Sequence, residues 1–331
     1  MAGKCPASPA LRVGQGAQYK RKPLPNGIVE SVSEYKYNSF EGKNRVSRGK
    51  TMGEKRSDGE IKTEHSTEEP EPERIIIRVP ARHNPLLQQV IDRVNSDVEL
   101  HTLWEMNNTN AVKRMGMSDH GPVHFQIVAN IALRLLRLLV ERGIQPNVVS
   151  DHHLTVEDAE VTVVLGALLH DLGMSVHRID HEHYSLFIAM PKIKELLLDL
   201  YEVAPRTILS SEILHAIISH RAGGHPSTLE AGIVRLADAL DMAEGRTRIP
   251  FQAGQVNIHS VSAAAIEKVQ IEPGLEKPIK ILVKMSNSAG IFQVDELLRN
   301  KLKGSGLEPY CEVEATIEGE TEKKLIQRFR V

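Results

Sequence analysis

Residues 121–142 (GPVHFQIVANIALRLLRLLVER) constrain the fold of this chain more than any other segment. Their apolar side chains recur at positions i, i+3, i+4 and i+7, which places them on one face of an α-helix. The most apolar part, residues 131–140, is too short to cross a membrane and contains Arg134 and Arg137. The segment therefore predicts a long amphipathic helix that other helices must cover.

The same helical pattern continues on both sides, so the sequence predicts a helical domain over residues 74–250. Thr155, followed three residues later by Asp158, predicts the start of a second apolar helix that ends in the sequence ALLHDLGM. Further helices are predicted at 84–95, 97–115, 182–202, 209–220 and 229–245.

Two flanking regions have a different composition. Residues 1–73 lack apolar periodicity and are rich in Gly, Pro, Ser, Lys and Glu, so they cannot bury enough apolar surface to offset chain entropy. We expect this segment to be a disordered tail. Residues 251–331 show strand-like alternation with one helix, near 291–303, and predict a small α+β domain. The predicted strands lie at 265–272, 279–286, 309–318 and 322–331.

The predicted fold class is thus mainly α: a helical domain followed by a ββαββ domain with two antiparallel hairpins. The chain has 41 basic and 43 acidic residues, so no net basic field would attract nucleic acid or an anionic membrane. Cys5 and Cys311 are too few for a disulfide framework and fit a reducing compartment. No apolar signal-peptide core precedes the helices, and we expect a cytoplasmic protein.

Histidines near the ends of the predicted helices are the candidates for chemistry. Together with nearby carboxylates they suit Zn, Mn, Fe or Mg, whereas no thiolate lies near them to build a zinc finger. The H-E-x-x-H pattern is also absent. In chain order the candidates are His120, His124, His170, Asp171, His177, His181, His183, His215, His220, His225, Asp238 and Asp241.

Some of these residues have an ordinary structural interpretation. His177 and His181 are four residues apart and would chelate a metal on a helix. However, Arg178 and Asp180 between them indicate a loop. Asp241 is expected to face solvent or to cap its helix locally.

Three segments over about residues 95–250 together resemble the HD-domain superfamily of metal-dependent phosphohydrolases. HGPVHFQIV is similar to the first motif, ALLHDLG to the second and RLADALD to the last. The His in the helix before the last motif resembles the HDIG branch, which includes ribonuclease Y. His220 precedes Asp238 by 18 residues, which is also typical of HD-type dinucleoside tetraphosphate hydrolases.

The resemblance implies a role for each matching residue. His124, His170, Asp171 and Asp238 match the four ligands of the metal common to the superfamily, and His170 and Asp171 would be catalytic. A second metal would be held by the remaining two predicted ligands, His183 and His220, with Asp171 as the bridge. One or two divalent ions would then activate water for hydrolysis.

One departure from the family pattern concerns substrate binding. Many relatives carry Lys four residues after the His of the doublet, where it contacts phosphate, and this chain has Met174 there. The substrate charge would then need other partners. The candidates are His120, Arg178, Arg221 and Arg246.

Three functions remain open on the sequence. The first is hydrolysis of a phosphoester or phosphoanhydride in a nucleotide or related small molecule. The second is a catalytically weak nucleotide-binding HD module that signals through the C-terminal domain. The third, an RNA nuclease, is disfavoured because no two glycines are three residues apart, which excludes the GxxG loop of a KH domain. We expect a small phosphorylated partner rather than nucleic acid or membrane, and leave a homo-oligomer open.

Overall fold

The computed structural model describes residues 75–221, 223–243 and 258–317, together with the backbone of 328–330. Its first part is a bundle of helices, as the periodicity predicted. A π-helical turn (Thr109–Arg114) follows the second helix, and a 3-10 turn (Leu172–Ser175) follows the fifth. The helices are α1 (Pro85–Ser96), α2 (Val98–Asn108), α3 (Pro122–Glu141), α4 (Asn147–Ser150), α5 (Val156–Leu169), α6 (His181–Leu196), α7 (Val203–Ser219) and α8 (Leu229–Leu240).

Helix α5 lies at the centre of the bundle and packs against α3, α7 and α8. Nearly all of its side chains are buried, which explains why it is apolar on all sides. It begins with the predicted capping box: the Thr155 hydroxyl accepts from the Asp158 N–H at 3.3 Å, and the Asp158 carboxylate accepts from the Thr155 N–H at 2.9 Å. The cap fixes the start of the helix whose other end carries His170 and Asp171.

Helix α3 is long and apolar enough to cross a membrane by length and composition, but most of it is buried within the protein. It packs against α5 and α8, as the core helix of a helical domain does. The amphipathic interpretation of residues 121–142 therefore agrees with the structure.

The boundary between α6 and α7 differs from the prediction of helices at 182–202 and 209–220. Helix α6 ends at Leu196, and Asp199 adopts a left-handed backbone conformation (φ 59°) in the turn that follows. Helix α7 then begins at Val203, with Pro205 in its first turn, a position that proline tolerates. The sequence thus predicted a break at 203–208, and the structure places it at 197–202.

The C-terminal part contains one mixed sheet, in the order β1-β2-β3-β4. The pairs β1–β2 and β3–β4 are antiparallel, and β2 and β3 pair in parallel across the intervening helical segment. The ββαββ prediction is thereby confirmed, with the two hairpins joined into one sheet. The elements are α9 (Ile258–Ala264), β1 (Ile266–Pro273), β2 (Ile279–Met285), a π-helical turn (Gln293–Leu298), α10 (Arg299–Leu302), β3 (Cys311–Ile317) and β4 (Arg328–Arg330).

The C-terminal part contacts the helical bundle at α3 and at α8. A Cβ atom added to Gly232 of α8 would lie 2.1 Å from the carbonyl oxygen of Ser305, so only glycine permits this approach. The contact brings α10 close to the helix that carries Asp238. The predicted disordered tail, residues 1–73, lies outside the described residues.

Candidate metal centre

Five helix ends bring four buried imidazoles, one buried carboxylate and one half-buried carboxylate, that of Asp238, to one point inside the bundle. Helix ends suit this task because the backbone there turns away and leaves room for side chains to converge. The members are His124 (first turn of α3), His170 and Asp171 (after α5), His181 (start of α6), His220 (after α7) and Asp238 (last turn of α8).

The first half of the cluster combines two imidazoles and two carboxylates. The Nε2 atoms of His124 and His170 lie 3.3 Å apart. Oδ1 of Asp238 lies 3.6 Å from the first and 3.7 Å from the second. Oδ2 of Asp171 lies 3.5 Å from Nε2 of His170 and 4.0 Å from that of His124. Ligands bound at about 2.1 Å in tetrahedral geometry lie about 3.4 Å apart, so these distances suit a metal ion held by imidazoles and a carboxylate oxygen. His124, His170 and Asp171 form one group that could hold an ion, and Asp238 forms another with His170 and His220.

The second half of the cluster uses the other oxygen of the same aspartate. Oδ1 of Asp171 lies 2.9 Å from Nε2 of His181 and 3.3 Å from Nε2 of His220. The two imidazole nitrogens are 3.3 Å apart. Oδ1 is buried and accepts no hydrogen bond from the described residues. A buried carboxylate oxygen without a donor is costly unless a cation compensates it.

The orientation of the imidazoles is fixed from outside the cluster. In each of the four rings Nδ1 faces an oxygen that can accept its proton, which leaves Nε2 directed to the centre of the cluster. The pairs are His124 with Oδ2 of Asp241 (2.6 Å), His170 with the carbonyl of Ala167 (2.8 Å), His181 with the carbonyl of Arg178 (3.0 Å) and His220 with the carbonyl of Ile217 (2.7 Å). This tethering through Nδ1 is typical of metal-ligating histidines.

Burial opposes ionisation in this cluster, yet its carboxylates keep their charge. Burial raises the carboxyl pKa values of Asp171 and Asp238, but His170 beside the first and Lys301 beside the second hold both pKa values well below their usual range. Burial lowers the pKa of His170, and the two carboxylates outweigh it and raise that pKa to about 10. Burial lowers the pKa of His220 to about 4, which keeps this imidazole neutral. The cluster thus contains two ionised carboxylates, which are matched in the metal-free protein by protonated His170 and by Lys301.

Helix α2 holds the backbone around the His170–Asp171 doublet. Where α5 ends, its last carbonyl groups lose their helical partners. Side chains from α2 and the turn after it replace these partners by donating to carbonyl oxygens of residues 168–175. They are Trp104 to Leu168 (3.1 Å), Asn107 to Asp171 (3.0 Å), and Asn110 to Met174 and Ser175 (2.8 Å each).

The glycine that follows the doublet determines how close α6 can approach. A Cβ atom on Gly173 would lie 2.0 Å from the carbonyl oxygen of His181 and 2.6 Å from the backbone nitrogen of Ser185. The Gly173 N–H donates to the Ser185 hydroxyl at 2.8 Å. The absence of a side chain at residue 173 therefore allows the start of α6 to place His181 in the cluster.

Comparison with known proteins agrees with this geometry. The model of the HD domain family matches residues 123–243, which contain His124, the doublet and Asp238. This chain belongs to the HD-domain family. The uncharacterized protein MJ1020 of Methanocaldococcus jannaschii is 43% identical to it over 233 residues, which are 70% of this chain and 90% of that protein. No solved structure matched the chain significantly.

Membership confirms the resemblance found in the sequence and the coarse class of metal-dependent phosphohydrolases. The HD domain of this chain brings five of the six predicted metal ligands together. The sixth, His183, requires a correction: it is exposed on α6, near Asp180 and Glu182. His181 takes the buried position instead. Residues two apart on a helix point about 200° apart around its axis, so only one of these histidines can face the bundle.

One further interpretation of the sequence is confirmed and one needs correction. Residues 177–180 lie outside a helix, as the loop interpretation of this segment predicted, and α6 begins at His181, directly after Asp180 with its left-handed backbone (φ 57°). Asp241 was expected to face solvent or cap locally, but it is buried and bonded to His124. Its distance of three residues from Asp238 was the available signal, since such residues share a helix face.

The predicted substrate-binding residues have different positions. Nε2 of His120 lies 3.9 Å from Oδ2 of Asp171, at the edge of the cluster. Nη1 of Arg178 lies 3.1 Å from Nδ1 of His181. Arg221 donates to the carboxylate of Glu182 at 2.9 Å and lines a cavity of about 630 Å³. Arg246 lies outside the described residues.

Proposed function

We propose that this HD domain hydrolyses a phosphoester or phosphoanhydride in a nucleotide or related small molecule, with two divalent ions at the cluster. The observation that carries the proposal is the position of Asp171. Its Oδ2 faces the His124–His170 half of the cluster, and its Oδ1 faces His181 and His220. A carboxylate between two groups of imidazoles is suited to bridging a pair of ions.

The donor set favours particular metals. Four imidazoles and two carboxylates surround the cluster, without a thiolate. Imidazole suits Mn, Fe and Zn better than Mg, which prefers oxygen ligands and retained water. We therefore rank transition metals above magnesium as the native ions.

The residues in and around the cluster would have different roles in such a reaction. When bound, divalent ions would polarise the phosphoryl group and lower the pKa of water towards neutrality. Asp171 fixes the distance between the two halves of the cluster, and Asp241 keeps Nε2 of His124 directed inwards. His120, whose Nδ1 faces the carbonyl of Ser118 at 2.8 Å, presents Nε2 to the same space and binds a phosphoryl oxygen there when it is protonated.

A cavity lined by residues of α6, α7 and the segment after α7 supports a small substrate. Its lining includes Glu182 and Ser219, the sequence neighbours of His181 and His220, but no residue of the cluster itself. Its volume of about 630 Å³ falls in the range of small-molecule sites. Its walls include Glu182, His183, His215, Arg221 and His225, which suit a polar phosphorylated molecule. The buried thiol of Cys311 is free, in keeping with a cytoplasmic location.

The proposal is tested by metal analysis and a substrate screen on the purified protein. The screen contains p-nitrophenyl phosphate, its diester, nucleoside mono-, di- and triphosphates, dinucleoside polyphosphates and a short RNA. The variant Asp171→Ala is expected to lose both metal and turnover, whereas His183→Ala, a change of an exposed histidine on α6 outside the cluster, keeps its metal. Full metal content and turnover in Asp171→Ala would overturn the proposal.

A nucleotide-binding regulatory module is the second candidate. It is favoured by the contact between α8, which carries Asp238, and the C-terminal domain through Arg235. Such a module would bind a nucleotide without hydrolysing it. Binding would change the rate of backbone amide hydrogen exchange in residues 299–305. The same screen, followed by hydrogen exchange with each nucleotide, separates the two functions.

A further inference from the structure

Lys301 reaches the cluster from the C-terminal domain. It lies in α10, and its ammonium group contacts Oδ2 of Asp238, whose other oxygen faces His124 and His170. The Lys301 side chain is only 18% exposed. In the part of the chain that the structure describes, it is the lysine that forms an ion pair with a carboxylate of the cluster.

The backbone around Lys301 is held in place by Arg235. This arginine precedes Asp238 by three residues, so both lie on the same face of α8. Its guanidinium donates to the carbonyl of Lys301 at 2.9 Å and to that of Asn300 at 3.2 Å. Arg235 is only 2% exposed. The hydrogen bonds from Arg235 on α8 to the main chain of α10 therefore position the ammonium group of Lys301.

The other positively charged side chains near the cluster contact other residues than its carboxylates. Arg221 is paired with Glu182, and Arg178 contacts the outer nitrogen of His181. Met174, in the turn after the doublet, is buried and brings no charge. Lys301 thus offers a positive charge directly beside a proposed metal ligand.

A divalent ion at the cluster would share the negative charge of the Asp238 carboxylate with the Lys301 ammonium group. The ammonium group would then no longer be the main cation that neutralises Asp238. Lysine carries three N–H donors on a flexible stem. It can keep one hydrogen bond to Asp238 while the others bond to an anion bound beside the ion.

We propose that Lys301 binds the phosphoryl group of the substrate, so that the C-terminal domain completes the active site of the HD domain. This inference rests on the proposed function. It assigns the C-terminal domain a direct role in substrate recognition, and it supplies the phosphate-binding cation that the sequence around the doublet lacks.

The test measures binding of inorganic phosphate to the full chain loaded with Mn²⁺, by calorimetry, with metal content measured on the same samples. Lys301→Met and Lys301→Gln remove the charge, and Lys303→Met is the matched control on an exposed side chain of the same segment. Melting curves establish that each variant is folded. We expect both Lys301 variants to keep two ions and to bind phosphate about tenfold more weakly, the order of one charge-assisted contact. Lys303→Met should bind phosphate like the unmodified chain.

Unchanged phosphate affinity in folded, metal-loaded Lys301→Met and Lys301→Gln would overturn the inference and leave the proposed function intact. Loss of metal in both variants would also overturn it, because Lys301 would then support the metal site rather than the substrate. If the unmodified chain binds no divalent metal, the proposed function fails and this inference fails with it.

Discussion

Nε2 of His181 lies 2.9 Å from Oδ1 of Asp171, and both side chains are buried. Because Oδ2 of the same carboxylate faces His170, Asp171 divides the cluster into two halves. The second half depends on His181, which is buried at the start of α6, whereas His183 is exposed. The number of ions that the cluster could hold therefore depends on the position of His181.

The first prediction concerns metal stoichiometry. His181→Ala removes one of the imidazoles beside Oδ1 of Asp171, so the metal content should fall from two ions to one per chain. His183→Ala changes an exposed imidazole of the same helix and should leave two ions bound. Elemental analysis of both purified variants makes the measurement. A loss of metal in His183→Ala with none in His181→Ala would contradict the assignment.

The second prediction concerns Gly173. The added methyl group of Gly173→Ala would overlap the carbonyl of His181, so α6 must shift. Overpacking of this kind costs about 1–3 kcal/mol of unfolding free energy. We expect a lower denaturation midpoint together with loss of the second ion. Gly223→Ala, where an added Cβ meets nothing within 4 Å, is the control and should retain both properties.

The third prediction concerns Asp241, which holds His124 through Nδ1 at 2.6 Å. The carboxylate of Asp241 orients the His124 ring and increases its basicity. The substitution Asp241→Asn removes this negative charge. Loss of such a supporting carboxylate typically weakens metal binding by about 10- to 100-fold. Competition with a fluorescent chelator measures the affinity, and circular dichroism should show an unchanged helix content. An unaltered affinity would mean that Asp241 has no part in orienting His124.

The fourth prediction concerns pH. In the metal-free protein, the pKa of His170 is raised to about 10, so this imidazole is protonated on both nitrogens and positively charged at neutral pH. A metal ligand must be neutral, and binding should therefore release about one proton from His170. His220, with a pKa of about 4, is already neutral and releases none. Metal affinity should rise as the pH increases towards the pKa of His170.

Calorimetry in buffers of different ionisation enthalpy measures this proton release directly. The raised pKa of His170 also makes the stability of the metal-free protein depend on pH. Because the pKa of folded His170 lies above its unfolded value of about 6.5, its contribution to stability is complete below pH 6.5. This contribution should decline as the pH rises towards 10. Metal binding without net proton release near neutral pH would contradict the assignment.

Much of the helical fold and five of the six cluster residues could be predicted from the sequence. His124, the doublet, His220 and Asp238 lie in or next to periodic helices, and the resemblance of their motifs to the HD-domain family implied that they converge. The choice between His181 and His183 depends on the first residue of one helix, which is the least certain part of any such prediction. Here the left-handed conformation of Asp180 decides it.

Contacts between distant segments were not accessible in this way. The pairing of β2 with β3 requires a helical crossover, whereas alternation identifies strands but not their neighbours. Lys301 and Asp238 are 63 residues apart and meet only because Arg235 and Gly232 allow α10 to lie against α8. No local pattern around Lys301 signals that contact.

The side chains of Trp104, Asn107 and Asn110 hold the doublet through main-chain oxygens alone. Such contacts do not depend on which side chains residues 172–175 carry, provided that Gly173 is kept. The backbone path beside the ligands is therefore held independently of the side chain of Ser175, which is half-buried and whose hydroxyl donates to the carbonyl of Leu172 at 2.7 Å. Variation within this turn would be expected at residue 175 rather than at Met174, whose fully buried side chain fills space in the core.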